Sequence, residues 1–253
     1  MSEARRQPAI TWLGHATALL ELDGVRLLTD PILRNRVGAL VRIGPPVVPE
    51  SVHGLDGVLL SHLHADHADL PSLRRVARTL PVLAPHGTAA WLRANGLECV
   101  RELRAGEEAS INGLRVDATA AVHDPRRRPL GPRGDPIGYL VRGSISVYFA
   151  GDTDLFEQMA ELHGQVDVAL LPVWGWGKRL GPGHLDPERA ARAAAMIAPR
   201  IAIPIHWGTL ALGRPARRPS DPWWPPCEFA ALTTRYAPAV EVRLLAPGEH
   251  TEL

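Results

Sequence analysis

The run His62-Leu63-His64-Ala65-Asp66-His67 places four side chains of the metal-ligating kind within six residues. It follows directly on the apolar stretch Gly57–Leu60 and Ser61, which reads as the end of a buried strand. Residues two apart in an extended segment point the same way, so His62 and His64 can share one ion. If the chain then turns into a helix, Asp66 and His67 can face a second ion beside the first. Imidazole and carboxylate suit zinc, iron and manganese. A lone histidine after a strand would be a solvated turn residue; a set this dense points to metal.

The surrounding chain supplies strands and helices in a characteristic order. Ile10–Leu13, Ala18–Leu22 and Val25–Thr29 read as strands, with Asp23-Gly24 as a hairpin turn. Residues 34–56, rich in Pro, Gly and Val, read as a long surface loop. The pattern predicts helices over 72–79, 87–95 (closed by Gly96), 154–163, 187–198 and 228–236. Asp186 and Pro187 are suited to the cap and first turn of the fourth of these. Strands are expected at 81–84, 114–120 after Asn112-Gly113, 138–141, 145–149, 166–173, 201–205 and 240–245. Residues 124–136 and 213–226 read as Arg- and Pro-rich loops. Hairpins early and alternating helices and strands late imply a layered α/β sandwich, in one domain over residues 1–253 without an internal repeat.

The His-x-His-x-Asp-His motif resembles the signature of the metallo-β-lactamase superfamily. Nearly the whole chain fits that resemblance, from Trp12-Leu13-Gly14-His15-Ala16-Thr17 to Pro247-Gly248-Glu249. It implies a four-layer αββα sandwich and further ligands at later strand ends: His123, Asp152 in Phe-Ala-Gly-Asp-Thr, and His206. On the superfamily pattern His62, His64 and His123 hold one metal, Asp66, His67 and His206 a second, and Asp152 bridges both. The cofactors implied are two divalent ions, zinc first, with manganese, iron or nickel as alternatives. Leu28-Thr29-Asp30-Pro31, Leu171-Pro172-Val173-Trp174-Gly175 and His206-Trp207-Gly208-Thr209 look like the branch of the N-acyl-phosphatidylethanolamine phospholipase D-like enzymes. The ascorbate-6-phosphate lactonase-like proteins are its neighbours. The activity implied is hydrolysis by a metal-bridging hydroxide, first on a phosphodiester, and otherwise on a lactone or carboxylic ester. Asp66 would also orient the hydroxide. His184, in Gly181-Pro182-Gly183-His184-Leu185-Asp186, would donate a proton to the leaving group or hold a substrate oxygen.

Composition narrows the partners. The formal net charge is +1, without the basic excess of a nucleic-acid or membrane-surface binder. A non-catalytic metal-binding or nucleic-acid-interacting protein is the alternative of another class, and the complete ligand set and this charge oppose it. Two cysteines, Cys99 and Cys227, cannot form a disulfide framework, and no cysteine stands in the metal motifs. No apolar run approaches the roughly 18–20 residues of a membrane span. Met1–Gln7 is polar, without the apolar core of a signal peptide, so a cytoplasmic protein is expected. A small-molecule or lipid-like substrate is expected and no nucleic acid; assembly into a homo-oligomer stays open.

Weaker signals lie around this set. His15 and Asp30 suit partners behind the ligands, or ordinary buried and strand-ending residues. Arg126, Arg127, Arg128 and Arg133 follow ligand His123, and Arg214, Arg217 and Arg218 follow His206. Each cluster can pair with phosphate or be a solvated loop. Trp174 and Trp176 can wall a pocket, and Trp223-Trp224-Pro225-Pro226 can cover an acyl chain, touch a membrane, join a dimer or pack on the sandwich edge. His53, His86, His163 and His250 show no partner pattern.

Overall fold

In the computed structural model, residues 7–127, 131–177, 179–213 and 221–253 are described. The chain opens with a meander of β1 (Ala9–Gly14), β2 (Thr17–Leu22) and β3 (Val25–Thr29). Asp23 and Gly24, at φ 51° and 85°, make the expected tight turn between the last two. Two short strands follow, β4 (Arg36–Val37) and β5 (Leu40–Arg42). Next come β6 (Gly57–Leu59), α1 (Leu70–Val76), β7 (Val82–Pro85), α2 (Ala89–Ala94) and β8 (Val100–Leu103). The second half repeats the plan with β9 (Glu108–Ile111), β10 (Leu114–Ala120), β11 (Ile137–Arg142) and β12 (Ser146–Phe149). It continues through β13 (Val168–Pro172), α3 (Pro187–Ile197), β14 (Ile201–Ile205) and β15 (Leu210–Leu212). The chain closes with α4 (Trp224–Tyr236), β16 (Glu241–Val242) and β17 (Glu249–Glu252).

Two seven-stranded sheets result, in the orders β17-β1-β2-β3-β6-β7-β8 and β16-β14-β13-β12-β11-β10-β9, with a small sheet β15-β5-β4 beside them. Each large sheet has three antiparallel pairings followed by three parallel ones. No sequence repeat announces this shared plan, because backbone pairing carries it. Side chains alternate across the first sheet with the strand period of two. Leu20, Leu27, Leu59 and Leu83 pack with Val116, Tyr139 and Phe149 of the second sheet. Their neighbours Leu19, Leu28, Val58 and Val82 pack with Leu73 of α1 and Leu92 of α2. On the far side Ala190, Ala194 and Ile197 of α3 and Phe229 of α4 bury against the second sheet. This is the four-layer αββα sandwich. Each such leucine contributes about 1.5–3 kcal/mol by leaving water, which makes the double layer a rigid base for the loops at its rim.

Local chemistry sets the helix limits nearest that rim. Asp69 caps α1 by accepting from the Ser72 amide at 3.2 Å, so the helix begins just after the His-rich run. Asp186 caps α3 by accepting from the Arg189 amide at 2.8 Å, and α3 ends where Ala198 turns left-handed at φ 51°.

Some expected boundaries move. The 34–56 stretch holds β4, β5 and a 3-10 turn over Pro49–Val52 as well as loop. Only Glu157–Leu162 of the helix expected over 154–163 forms, as 3-10. The Trp-Trp-Pro-Pro run is not all loop, because α4 starts at Trp224 and its prolines occupy the first turn, where an amide donor has no partner to lose. The strand expected over 240–245 shrinks to β16, and the unforeseen β17 pairs with β1. Residues 1–6, residues 128–130 within the 124–136 loop, Lys178 and residues 214–220 lie outside the described residues, and with them Arg128, Arg214, Arg217 and Arg218. Among the described residues no helix is long and apolar enough to cross a membrane.

Candidate metal centre

The sequence-predicted residues stand on loops at one rim of the sandwich. His62, His64, Asp66 and His67 lie between β6 and α1, His123 after β10, Asp152 after β12, His184 before α3 and His206 directly after β14. The His-rich loop is shaped by its own backbone: the His64 carbonyl accepts from the amides of His67 at 3.0 Å and Ala68 at 2.8 Å. That turn brings His67 round beside His62, their ring centroids 4.1 Å apart. Arg127 fastens it from outside, donating to the carbonyls of Leu63 at 2.7 Å and Ala68 at 3.0 Å, with its guanidinium 4.7 Å above the Trp91 ring. Arg127 therefore serves the loop backbone, a role its sequence context does not reveal.

Ligand-type atoms come together in overlapping groups, each with its atoms within 4.8 Å of one another. One group is His62, His64 and His123; another is His15, Asp66, His67 and His206; a third is His123, Asp152 and His184; a fourth is Asp30, His62 and His67. Asp152 lies between the first two. Its Oδ2 is 3.1 Å from His67 Nε2, 3.5 Å from His184 Nε2 and 3.9 Å from His123 Nε2. Its Oδ1 is 3.3 Å from His206 Nε2. His53, His86, His163 and His250 are in none of these groups.

Behind this set, the opposite ring nitrogens are occupied. His67 Nδ1 meets Asp30 Oδ2 at 2.7 Å, His123 Nδ1 the Gly183 carbonyl at 2.6 Å, and His206 Nδ1 the Trp174 carbonyl at 2.8 Å. Those acceptors hold a proton on Nδ1, which leaves Nε2 of His123 and His206 with a lone pair toward the centre, while His67 also faces Asp152 through its Nε2. His62 Nδ1 sits 2.9 Å from Ser61 Oγ, and the Ser61 hydroxyl and amide both donate to the wholly buried Asp30 carboxylate. Asp30 thus orders two neighbours of the centre, the supporting role the sequence left open. His15 is also part of it: its Nε2 lies 3.1 Å from Asp66 Oδ2 and its ring centroid 3.8 Å from that of His206.

Burial dominates the electrostatics of the rings. It pushes His62 far below the ordinary imidazole range, lowers His64 and His123, and takes His206 down to about 3. Asp66 and Asp152 behave oppositely. Burial acts to raise both carboxyls, but nearby histidines, His15 and His67 for Asp66 and His206 and His67 for Asp152, outweigh it and hold them well below the carboxylate range. Burial also opposes a proton on His67, yet Asp152 and Asp30 outweigh it and raise that ring well above its usual value.

Two ionised carboxylates, with His67 the one ring beside them that they hold protonated and His62, His64, His123 and His206 kept neutral by burial, are a costly thing to bury without a further cation. The orphaned atoms agree: His62 Nε2 and Asp152 Oδ1 are buried without a hydrogen-bond partner among the described residues. The donor set therefore fits a divalent ion, nitrogen and oxygen ligands being those that zinc and its neighbours take. Tryptophans edge the site. Trp176 donates from Nε1 to Asp66 Oδ2 at 3.1 Å, and Trp174 packs edge-on against Trp224 at 5.1 Å between centroids. Trp223, 43% exposed, packs on Trp207 instead of standing free.

Comparison with known proteins gives the family. The family model described as a beta-lactamase superfamily domain matches residues 25–207, a span that includes every residue from Asp30 to His206 named above. A Methanopyrus kandleri protein named as a UPF0173 metal-dependent hydrolase is 35% identical over 254 residues, covering 96% of this chain and 99% of its own. The N-acyl-phosphatidylethanolamine-hydrolyzing phospholipase D 1 of Caenorhabditis elegans is 31% identical over 230 residues, covering 80% of this chain and 64% of that protein. Among solved structures, a metallo hydrolase from the archaeon Ignicoccus hospitalis superposes with a TM-score of 0.74 at 26% identity over 98% of both chains. With its sandwich fold, its buried histidine and aspartate cluster and these relatives, the chain belongs to the metallo-β-lactamase superfamily as one of its metal-dependent hydrolases.

Proposed function

We propose that the chain is a dinuclear hydrolase acting on a phosphodiester, within a small-molecule or lipid-like substrate. The observation that carries the dinuclear reading is the Asp152 carboxylate, which turns Oδ2 toward His67, His123 and His184 and Oδ1 toward His206. One carboxylate facing two histidine groups suits a bridge. His62, His64 and His123 would hold one ion, and Asp66, His67 and His206 the other, with zinc the first choice. When bound, such ions acidify a water toward neutrality and offset the charge that grows on the substrate oxygens.

The chain's own residues do the rest. Asp66 accepts a hydrogen bond from the attacking water and so sets its direction. His184 is the acid. Its ring is 23% exposed, so a substrate can reach it, and Nε2 lies 3.5 Å from Asp152 Oδ2. Burial disfavours its proton, but Asp152 outweighs burial and raises the ring above its ordinary value. A protonated His184 can pass its proton to the departing alkoxide. Likeness to the worm phospholipase supports the substrate class.

The test is metal analysis of purified protein together with turnover of bis-p-nitrophenyl phosphate, lactones and carboxylic esters. Two ions per chain and diester cleavage are expected. Turnover of lactones or esters alone would move the same centre to acyl chemistry, and bound metal without turnover of any of them would make the chain a binder.

A further inference from the structure

Trp176 is 37% exposed, yet its indole N–H is committed to a carboxylate inside the centre. It donates to Asp66 Oδ2 at 3.1 Å, and His15 Nε2 meets the same oxygen at 3.1 Å from another element, the β1–β2 turn. A carboxylate with one partner can still swivel about its terminal torsion; two partners from separate elements fix its plane. Both fall on Oδ2, and among the described residues no hydrogen bond reaches Oδ1. An aromatic ring that merely sealed the rim would bury itself and leave its N–H to solvent.

The short loop around it touches a second member of the same group. Two residues earlier, the Trp174 carbonyl accepts from His206 Nδ1 at 2.8 Å. Trp174 Nε1 donates to the Gly177 carbonyl at 3.0 Å, which curls the loop on itself. A Cβ on Gly175 would lie 3.2 Å from Leu180 Cδ2 and 3.8 Å from His206 Cε1, so the backbone runs close against that ring. One four-residue loop after β13 thus orients both Asp66 and His206, which come from opposite halves of the sandwich.

We propose that Trp176 is a positioning residue: its indole N–H, together with His15, fixes the Asp66 carboxylate with Oδ1 left as the atom available to a divalent ion. This rests on the reading of Asp66 as a ligand. Partners behind metal ligands typically carry about 10–100-fold in affinity.

The experiment is calorimetric titration of the metal-stripped full chain with Zn2+, comparing wild type, Trp176→Phe, Asp66→Ala and the double variant. Phenylalanine keeps a flat ring and lacks the N–H. The expected result is an affinity loss of at least about 10-fold for one ion in Trp176→Phe. The other ion should bind unchanged, and the metal-free melting temperature should stay at the wild-type value. Asp66→Ala should lose at least as much, and adding Trp176→Phe to it should cost nothing further, since the N–H then has no carboxylate to hold. Wild-type affinity in Trp176→Phe beside a weakened Asp66→Ala would overturn the positioning role and leave the ligand reading standing. Additive losses would overturn it too. Wild-type affinity in Asp66→Ala would instead remove the reading beneath it.

Discussion

Asp30 lies behind the centre, touches no substrate, and should still govern both stability and metal uptake. Its carboxylate is 0% exposed and takes three donors: the Ser61 amide at 2.8 Å, the Ser61 hydroxyl at 2.5 Å and His67 Nδ1 at 2.7 Å. Asp30→Ala removes all three acceptor contacts. The hydroxyl can turn to His62 Nδ1, 2.9 Å away, but the amide and the imidazole N–H are then left buried and unmet. An unsatisfied buried donor costs about 1–3 kcal/mol, so two predict a loss of about 2–6 kcal/mol. Asp30 also sits at φ 31°, near the region where a short polar side chain is tolerated better than Ala, which adds to the loss. Asp30→Asn keeps the shape and one acceptor oxygen, so it should lose about 1–3 kcal/mol. Urea unfolding of the metal-stripped protein measures the first quantity, with an unchanged slope showing that the unfolded reference is the same. Calorimetry measures the second: freed of Asp30, His67 should bind Zn2+ about 10–100-fold more weakly. An Asp30→Ala protein within about 1 kcal/mol of wild type, with undiminished Zn2+ affinity, would refute the reasoning at its base.

Three further outcomes are expected. Asp152→Ala or His64→Ala should abolish metal-dependent hydrolysis while far-ultraviolet circular dichroism stays native; full activity in either would sink the ligand assignment. The folded-state pKa of His67 is raised, so the ring carries its proton up through and above the ordinary imidazole range, and an ion at Nε2 must displace it. Zn2+ uptake should therefore release a proton and tighten as pH rises toward that raised value, seen as a buffer-dependent calorimetric enthalpy. Equal affinity at pH 6 and 8 would contradict it. Arg127→Gln should release the carbonyls of Leu63 and Ala68 and cost about 1–3 kcal/mol in thermal unfolding. Arg127→Lys, which can keep one of the two bonds, should recover part of the loss.

What the sequence reveals follows the range of the interactions. The His62–His67 run is legible because its ligand-type residues are neighbours in the chain, and His123, Asp152 and His206 because the family resemblance looks for such residues at later strand ends. The supports are legible at most as one of two readings, as for His15 and Asp30, because they join remote segments. Nothing local ties Trp176 to Asp66, which are 110 residues apart, or Asp30 to His67, which are 37 apart. Arg127 falls within a run of basic residues, and only the folded loop shows that its guanidinium meets two carbonyls. The same holds for secondary structure. β17, Glu249-His250-Thr251-Glu252, has no apolar alternation, and its backbone pairing with β1 alone makes it a strand. The two prolines that suggest a loop at 225–226 are compatible with a helix only because α4 starts at Trp224.

The two large sheets share one plan, and the centre lies across their seam. The first sheet's connections give His15, Asp30, His62, His64, Asp66 and His67; the second's give His123, Asp152, His184 and His206. Neither half of the chain alone carries both sets. During synthesis the His-rich loop leaves the ribosome long before His206, so the centre can close only after both halves are out. An ion held there is in effect a rivet between the halves, and any opening wide enough to part them must first let it go. Hydrogen exchange in the parallel strands on both sides of the seam should therefore slow together on loading, because ligand binding to the closed state alone deepens its well.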